Sequence, residues 1–526
     1  MKAIESRPPA HDERGKKLLL FGALSGLVGA IAYFTLRNQI IVPIGVILAI
    51  VVAYSLFKWR EFATLLFVFI LYTNLAVVAI RYHGVPGIVA GAFFLLPALP
   101  MANYIFQQRQ RVIFDRPIIL IVVYLLALLT TSIFAKDLKL AWSEILNFLT
   151  EGLLLYFLLI NVIRAPSTLK RVIWVLLLAG SLLGGVSLLQ ELTHSYDNNY
   201  GGLSLRREDL DIDEVDFDAY SGARSAGGPV GDENRYGQIM LVILPLALFL
   251  FLTEANRRNK IFAAIAIGLI FSGIVLTFSR GTFITLAGMT ALMMLLRFIR
   301  PKKILLAGVG LVLLISVALP EYYDQVNTVS SLSNLASSDS EDSRGLDGSF
   351  RGRYAQMVAA LTVFLEHPIA GVGPGHFSRY YSKKYGNAVG TKFLRSNRRA
   401  HNLYVEMIAN LGVVGFVSFM AIVIFILYRL SQARRNLADR RPDLAKLATA
   451  LILAIFGYLG SAMFLHLSFQ RYYWFILALA GAALHVFAAE TSRRVVAEKI
   501  EAPADETPDV ALEKIIISQI ENIPHK

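Results

Sequence analysis

One histidine and one asparagine begin a long apolar run in the stretch SNRRAHNLYVEMIANLGVVGF, residues 396–416. A neutral imidazole can accept a proton from a hydroxyl, so His401 is a candidate general base. The arginines beside it favour that neutral form. Asn402 is expected to cap the following helix, although it could instead orient the ring. Glu406, about one turn further on, either holds the ring or forms a salt bridge. A lone histidine at a helix start often only caps the helix, so the other polar residues decide its role.

Two more arginines stand at the predicted starts of apolar helices. Arg235 lies in DENRYGQIMLVILPL, and Arg280 lies in LTFSRGTFITLAG with no acidic residue in the same turn. An arginine at membrane depth costs about 2.5–3.5 kcal/mol on insertion scales. A single such arginine usually anchors a helix or pairs with a carboxylate. Two guanidinium groups together suit a diphosphate, because planar forks bind phosphate oxygens in pairs.

The stretch HPIAGVGPGHF, residues 367–377, resembles a phosphate-binding loop at first. Its spacing is G-x-G-x-G, and no βαβ unit surrounds it, so the dinucleotide-binding interpretation fails. We expect a tight turn in which the glycines adopt positive φ and shape the site. His376 is a second candidate for the base.

The acidic stretch DLDIDEVDFDAY, residues 209–220, has acids at positions 1, 3 and 5 of a possible calcium loop. Glu214 stands where that loop requires glycine, and Tyr220 stands where it requires glutamate. A solvated acidic loop is therefore expected, and the sequence indicates neither a metal site nor a cofactor. A bound diphosphate would have to be neutralised by arginine.

The composition predicts a polytopic membrane protein. Of 526 residues, 56% are apolar and 17% are charged, and the apolar residues recur in blocks long enough to cross a bilayer as helices. The chain has no cysteine, which excludes disulfides and thiol chemistry. Basic residues gather on alternate loops, as the positive-inside rule requires. The net charge of +13 therefore needs no nucleic-acid partner.

The predicted fold is an all-α membrane bundle of about 12–14 transmembrane helices, with both termini in the cytoplasm and a large periplasmic loop between late helices. A segment rich in proline near 84–100 could be re-entrant. The candidate spans lie near 18–35, 40–57, 62–80, 84–100, 117–134, 144–163, 172–192, 235–253, 261–278, 282–298, 303–319, 402–428, 447–465 and 472–489.

The spans and long loops define six predicted regions. These are N-terminal membrane helices (1–192), an acidic periplasmic loop (193–233), helices carrying Arg235 and Arg280 (234–319), a large periplasmic loop (320–400), C-terminal membrane helices (401–490) and a cytoplasmic tail (491–526).

At RGTFI, HPIAGVGPGHF and AHNLYVEMIANLGVVGF the sequence resembles the bacterial O-antigen ligase and polymerase superfamily, most strongly from about 230 to 430. The ordered set of a Gly-x-Gly turn, His-Asn and a helix with Gly412 and Gly415 carries the resemblance. It implies a metal-independent, inverting glycosyltransferase of the membrane GT-C type. Such enzymes move a glycan from undecaprenyl diphosphate to an acceptor hydroxyl at the periplasmic face of the bacterial inner membrane.

The resemblance also implies roles for individual residues. The paired arginines of the family map onto Arg235 and Arg280, and its loop histidine maps onto His401. Arg353 and Arg399 are supporting candidates for the second phosphate or the incoming glycan.

Several functions remain open at this point. A ligase uses lipid A–core as acceptor, a polymerase uses another undecaprenyl-linked repeat, and a protein O-oligosaccharyltransferase uses Ser or Thr. A polysaccharide flippase is the alternative of another class, and it should place charges along a cavity at mid-membrane depth.

Overall fold

The computed structural model describes residues 54–55, 59–206, 225–299, 341–385, 399–467 and 469–501. Within these ranges the protein is helical and has no β-sheet, only one isolated bridge between Leu205 and Gly228. The all-α prediction is confirmed. The chain divides into two compact units, Met1–Ala63 and Thr64–Lys526, and all of the candidate site residues belong to the second. The acidic stretch 209–220 lies outside the described residues.

The described helices follow one another in a simple order. They are α1 (Arg60–Tyr72), α2 (Leu75–His83), α3 (Gly87–Gln107), α4 (Arg116–Ser132), α5 (Leu138–Val162), α6 (Pro166–Leu192), α7 (Glu233–Thr253), α8 (Arg257–Val275), α9 (Arg280–Leu295), α10 (Glu341–Glu366), α11 (Phe377–Tyr385), α12 (Leu403–Leu437), α13 (Pro442–Ser461) and α14 (Gln470–Glu501).

Eight of the described helices are long and apolar enough to cross a membrane, namely α3, α5, α6, α7, α8, α12, α13 and α14. The pair α1 and α2, bent by 59°, is a ninth candidate, and α4 and α9 are shorter apolar helices. The polytopic interpretation is thus confirmed. The predicted spans 18–35, 40–57 and 303–319 lie outside the described residues, so the expected total stays a prediction.

Two predicted spans differ in detail from the structure. The span near 62–80 is broken between α1 and α2 at Asn74, whose backbone is left-handed with φ 59°. The span near 84–100 corresponds to α3, which contains 3-10 and π-helical turns around Pro97 and Pro100. Proline removes a backbone donor from the helical ladder, which accounts for the irregular turns.

The helices pack closely where small residues face a neighbour. A Cβ atom on Gly184 of α6 would lie 1.9 Å from the carbonyl oxygen of Leu269 on α8, so only glycine allows this approach. The interior of the bundle is aromatic, with Trp474 and Tyr473 of α14 against Phe419 of α12. The helices that carry the candidate site residues are therefore held by dense packing.

The described loops separate into two groups at opposite ends of the bundle. Arginines at one end bind neighbouring loops and helix ends: Arg164 donates to the carbonyl of Arg111 at 3.0 Å, and Arg434 donates to that of Leu296 at 2.8 Å. The other end, called the site end below, carries the N-termini of α7, α9, α12 and α14 and the α13–α14 linker (462–469, of which 468 is not described). The alternation of basic loops that the sequence predicts matches this division.

Candidate active site

The glycine-rich turn 367–377 adopts the backbone predicted for it. Three of its glycines have positive φ, at 66°, 104° and 70°: Gly371, Gly373 and Gly375. A side chain at Gly371 would meet the backbone of Asn410 in α12. The glycines therefore serve both the turn and its close approach to a membrane helix.

The turn fills a break in α12. Gly412 has φ 61° and ψ −164°, which interrupts the helix there. The N–H groups of Val372 and Gly373 donate to the carbonyls of Ala409 (3.2 Å) and Asn410 (2.9 Å), which the break leaves without helical partners. This docking fixes the first turns of α12, and with them the position of His401.

Asn402 is the N-cap residue of α12, as expected. Its Oδ1 accepts hydrogen bonds from the N–H groups of Tyr404 (3.0 Å) and Val405 (3.1 Å). Its Nδ2 donates to the carbonyl of Met463 in the α13–α14 linker at 3.0 Å. His401 comes directly before this cap in a left-handed backbone conformation with φ 47°. The cap therefore holds the histidine against the linker.

The two arginines singled out from the sequence begin neighbouring helices. Ser279, the N-cap residue of α9, donates a hydrogen bond from Oγ to Oδ1 of Asn234 in α7 at 2.6 Å. Arg235 and Arg280 each follow one of these residues. A side chain at Gly281 would lie 2.9 Å from the ring of Phe464, so the start of α9 also contacts the α13–α14 linker.

The two guanidinium groups differ in exposure. Arg235 is buried, with 4% of its surface exposed, and its Nη2 donates to the carbonyl of His466 at 3.2 Å. Arg280 is exposed, and no ion pair joins it to another described residue. Helix N-termini carry partial positive charge. The carboxylate of Asp232 caps α7 and offsets that charge there, whereas α9 is capped by the neutral Ser279, so the start of α9 is the one that favours an anion.

His466 lies in the same cluster, and sequence reasoning missed it. Its ring packs on that of His401, with centroids 5.7 Å apart and planes at 84°. Its Nδ1 is buried without a hydrogen-bond partner among the described residues. Burial, with the charges of Arg235 and Arg399 and the neighbouring His401, lowers the pKa of His466 well below 6.5. This imidazole is therefore neutral at pH 7.

Arg399 and Glu406 form a charged layer beside the histidines. One Glu406 oxygen accepts from the N–H of Ala400 at 3.0 Å, and the other lies 4.0 Å from Nε of Arg399. Nη2 of Arg399 lies 3.6 Å from Glu144 on α5. Of the two roles considered for Glu406, these contacts match the salt bridge, and they also fix the chain just before His401.

A cavity of about 60 Å³ lies beside this layer. Its polar lining comes from Glu144, Arg399, Glu406, Asn410 and Gln470. A volume of this size holds a few water molecules and excludes a sugar ring. The cavity therefore belongs to the charged layer and is too small to hold a ligand the size of a sugar ring.

His376 is held by both of its ring nitrogens. A backbone N–H can only donate, so the 3.0 Å contact from Asp137 N makes Nε2 an acceptor. The proton then sits on Nδ1, which donates to the carbonyl of Pro374 at 2.8 Å. With 3% of its surface exposed, His376 anchors the glycine turn to the loop before α5. This arrangement does not match a general base.

Arg353 lies on α10, a helix that packs against α12. Its Nε is buried without a hydrogen-bond partner among the described residues, and the same holds for Oε1 of Gln356 one turn later. These two side chains give α10 a polar face in the part of the chain predicted to cover the site.

Arg471 is a second residue that the sequence did not reveal. The ring of Phe469 lies 5.6 Å from the guanidinium carbon of Arg235 and 5.5 Å from that of Arg471. Nη1 of Arg471 lies 3.8 Å from Glu151 on α5. Four of the described arginines at the site end therefore lie near helix N-termini (Arg235, Arg280, Arg399 and Arg471), an environment that attracts a multiply charged anion.

Comparison with known families matches residues 265–420 of the chain to the O-antigen ligase family model. This match confirms the resemblance to the O-antigen ligase superfamily and supports a function of the O-antigen ligase or polymerase type. The matched range includes Arg280, Arg353 and His401, whereas Arg235 and His466 lie outside it. No curated protein matches the chain.

Proposed function

We propose that this protein, of which residues 265–420 match the O-antigen ligase family model, transfers a glycan from undecaprenyl diphosphate to an acceptor hydroxyl, that of lipid A–core or a similar glycan. The proposal includes inversion at the anomeric carbon, no metal ion, and a reaction at the periplasmic face of the bacterial inner membrane. The observation that carries it is the hydrogen bond between Ser279 and Asn234. It joins the helix starts that bear Arg235 and Arg280, next to the linker on which His401 packs.

In this proposal Arg235 and Arg280 bind the diphosphate of the donor. Negative charge develops on the leaving diphosphate as the bond between the anomeric carbon and oxygen breaks. Two guanidinium groups and the N-terminus of α9 stabilise that charge without having to reorganise. Arg235 is buried and Arg280 is exposed, so the diphosphate would extend from the interior of the site towards its surface.

His401 acts as the general base. It takes the proton of the acceptor hydroxyl while the hydroxyl oxygen attacks the anomeric carbon on the face opposite the leaving diphosphate, which inverts the configuration. The neutral state of the neighbouring His466 supports this role, because it adds no positive charge that would oppose protonation of His401. Asn402 and Glu406 keep the histidine in place through the contacts of the cap and of Ala400.

Arg353 and Arg399 are proposed supports for the second phosphate or the incoming glycan. The region 320–400 would cover the site and align the acceptor, so that the reaction gains from proximity. We also propose the six regions predicted from the sequence, among them the acidic periplasmic loop (193–233) and the cytoplasmic tail (491–526).

Polymerase and protein O-oligosaccharyltransferase activities differ from the ligase activity in the acceptor alone. A flippase, the alternative of another class, needs charged side chains along a cavity at mid-membrane depth. The buried charged side chains among the described residues lie near helix ends or in loops: Glu191, Arg206, Arg235, Glu254 and Glu406. A transport path would place such groups halfway through the bundle. Four of these five residues lie at the site end and Glu254 lies at the opposite end, so this distribution favours an enzyme with its site at the site end.

The test uses the purified full chain and His401→Ala, each incubated with undecaprenyl diphosphate-linked glycan and candidate acceptors, with and without EDTA. The readout is released undecaprenyl diphosphate together with the size of the glycan product. We expect transfer that resists EDTA and collapses in His401→Ala. A single capping step identifies a ligase, and a ladder identifies a polymerase. Transfer to no acceptor by the wild type would contradict the proposal and favour a flippase.

A further inference from the structure

His466 and His401 are close enough to share a hydrogen bond. Their ring centroids are 5.7 Å apart. A hydrogen bond of about 3 Å between two imidazole nitrogens places the centroids roughly 5 Å apart, so a small side-chain rotation closes the gap. The perpendicular planes do not prevent this, because the rings can twist about the line joining the two nitrogens.

The Nδ1 atom of His466 is the acceptor available for such a bond. It is buried and has no hydrogen-bond partner among the residues that the structure describes. A buried polar atom without a partner is unfavourable, and it is usually explained by a function or by a partner that arrives later. The carboxylate of Glu406, by contrast, is engaged by the N–H of Ala400 and by Arg399.

Several charged groups surround the pair. His466 is faced by Arg235 from α7 and by Arg399 and His401 from the segment before α12, and these lower its pKa after burial itself, the largest cause. The groups that act on Arg235 in turn are Asp232, Tyr458, Arg399 and Glu406. A proton added to His401 therefore enters a positive region and needs a neutral acceptor nearby.

We infer that His466 is a positioning residue of the transfer reaction: its Nδ1 accepts a hydrogen bond from His401 once His401 has taken the proton of the acceptor hydroxyl. This inference rests on the proposed function. The acceptor oxygen bonds to the anomeric carbon, the bond to the phosphate oxygen breaks, and its electron pair leaves with the diphosphate. The proton stays on His401, oriented by His466, until water removes it.

His466 also connects the base to the donor site. Its carbonyl accepts a hydrogen bond from Arg235 at 3.2 Å, and its ring contacts His401. One residue therefore touches both the group proposed to bind the diphosphate and the group proposed to take the proton. His466 lies in the linker between α13 and α14, outside the range 265–420 that matches the family.

The test compares three substitutions at this position in the purified full chain. The amide oxygen of His466→Asn lies near the place of Nδ1, that of His466→Gln lies near the place of Nε2, and His466→Phe keeps the ring without an acceptor. His485→Asn, at the opposite end of the bundle, is the control. The measurement is kcat/KM for transfer from undecaprenyl diphosphate-linked glycan between pH 5 and 9, with His401→Ala alongside.

We expect His466→Asn and His485→Asn to keep a profile close to that of the wild type. His466→Phe and His466→Gln should lose roughly 10- to 100-fold at the plateau, the factor typical of a hydrogen bond to a charged group. In both variants the acidic limb of the profile of kcat/KM against pH should move to lower pH, because His401 binds its proton less tightly when it lacks the hydrogen-bond acceptor at position 466.

An unchanged profile in His466→Phe overturns the inference while leaving the proposed function intact. An equal loss in all three variants with an unmoved acidic limb also overturns it, since that pattern indicates a purely structural role. A wild type that transfers nothing, or a His401→Ala variant that keeps full activity, contradicts the proposed function itself and this inference with it.

Discussion

Ser279 donates a 2.6 Å hydrogen bond to Asn234, and each of these residues is followed directly by an arginine. The bond therefore sets the relative position of two guanidinium groups that are 45 residues apart in the chain. Because Ser279 is also the N-cap of α9, one hydroxyl both begins that helix and ties it to α7.

We expect Asn234→Ala to weaken donor binding while leaving the protein folded. The substitution removes the bond between α7 and α9 but keeps both helix caps, so the KM for undecaprenyl diphosphate-linked glycan should rise several-fold with a smaller change in kcat. Steady-state kinetics of the purified protein checks this. Asn256→Ala, which removes the cap of α8 at the opposite end, serves as the control. An unchanged donor KM in Asn234→Ala would separate the interhelical bond from donor binding.

Arg235→Lys should reduce kcat by about 100- to 1,000-fold, the range seen when one donor to a developing oxyanion is lost. Lysine keeps the charge but cannot bind two phosphate oxygens as a planar fork does. Arg258→Lys on α8 is the matched control and should behave like the wild type. The rate of transfer in a single turnover provides the measurement. An Arg235→Lys variant with nearly the wild-type rate would show that Arg235 does not stabilise the charge on the leaving diphosphate.

Asn402 has two separable functions, which Asn402→Asp and Asn402→Ala distinguish. Aspartate keeps the oxygen that caps α12 but loses the amide donor to Met463, whereas alanine loses both. We expect Asn402→Ala to lower the free energy of unfolding by about 1 kcal/mol and Asn402→Asp to lower it less. Both should reduce transfer, because the link to the linker that carries His466 is lost. Denaturant unfolding in detergent provides the measurement, and equal stability losses would refute the separation.

Gly412→Ala should destabilise the protein and reduce activity. The backbone at φ 61° and ψ −164° is essentially restricted to glycine, at a cost of about 1–3 kcal/mol for other residues. A Cβ atom there would also lie 2.3 Å from the carbonyl oxygen of Ile369. Gly268→Ala on α8 is the control, since nothing lies within 4 Å of its Cβ position, and it should be neutral or slightly stabilising. Thermal unfolding checks this: the midpoint temperature should fall in Gly412→Ala and should stay the same or rise slightly in Gly268→Ala.

The depressed pKa of His466 predicts how stability depends on pH. Below the ordinary pKa of 6.5 the His466 side chain of the unfolded chain binds a proton that the folded protein does not bind. The contribution of His466 to the free energy of unfolding is therefore fully present above that pH and is lost as the pH decreases. The slope from this residue is at most about 1.4 kcal/mol per pH unit. Unfolding of the wild type and His466→Asn between pH 8 and 5 checks it, and the variant should show the flatter dependence. If the free energy of unfolding depends on pH equally in the wild type and in His466→Asn, the depressed pKa of His466 is contradicted.

The sequence predicted the parts of the site that depend on local chemistry. The cap at Asn402 follows from a polar residue before an apolar run, and the positive φ of Gly371, Gly373 and Gly375 follows from their spacing. The all-α membrane fold follows from repeated apolar blocks. In each case the physical cause acts within a few residues along the chain.

The residues that sequence reasoning missed depend on contacts between distant segments. In the stretch FLHLSFQRYYW, His466 resembles any polar residue in a short linker, and its meaning comes from a ring contact with His401 that lies 65 residues earlier. Arg471 resembles a snorkelling anchor until Phe469 is seen between it and Arg235. His376 is a further case of this kind, because its hydrogen bonds to Asp137 and Pro374 engage both ring nitrogens and cannot be predicted from its sequence neighbours.

The break in α12 has a consequence for engineering chimeras of this protein. The carbonyls of Ala409 and Asn410 are satisfied by the turn 367–377 and no longer by the helix, and lipid offers no substitute partner. A segment of the site end transplanted from a relative would leave these carbonyls without hydrogen-bond partners unless its glycine turn were transplanted together with its own broken helix. The turn 367–377 and residues 409–415 therefore form one exchangeable block, and a functional chimera must exchange both together.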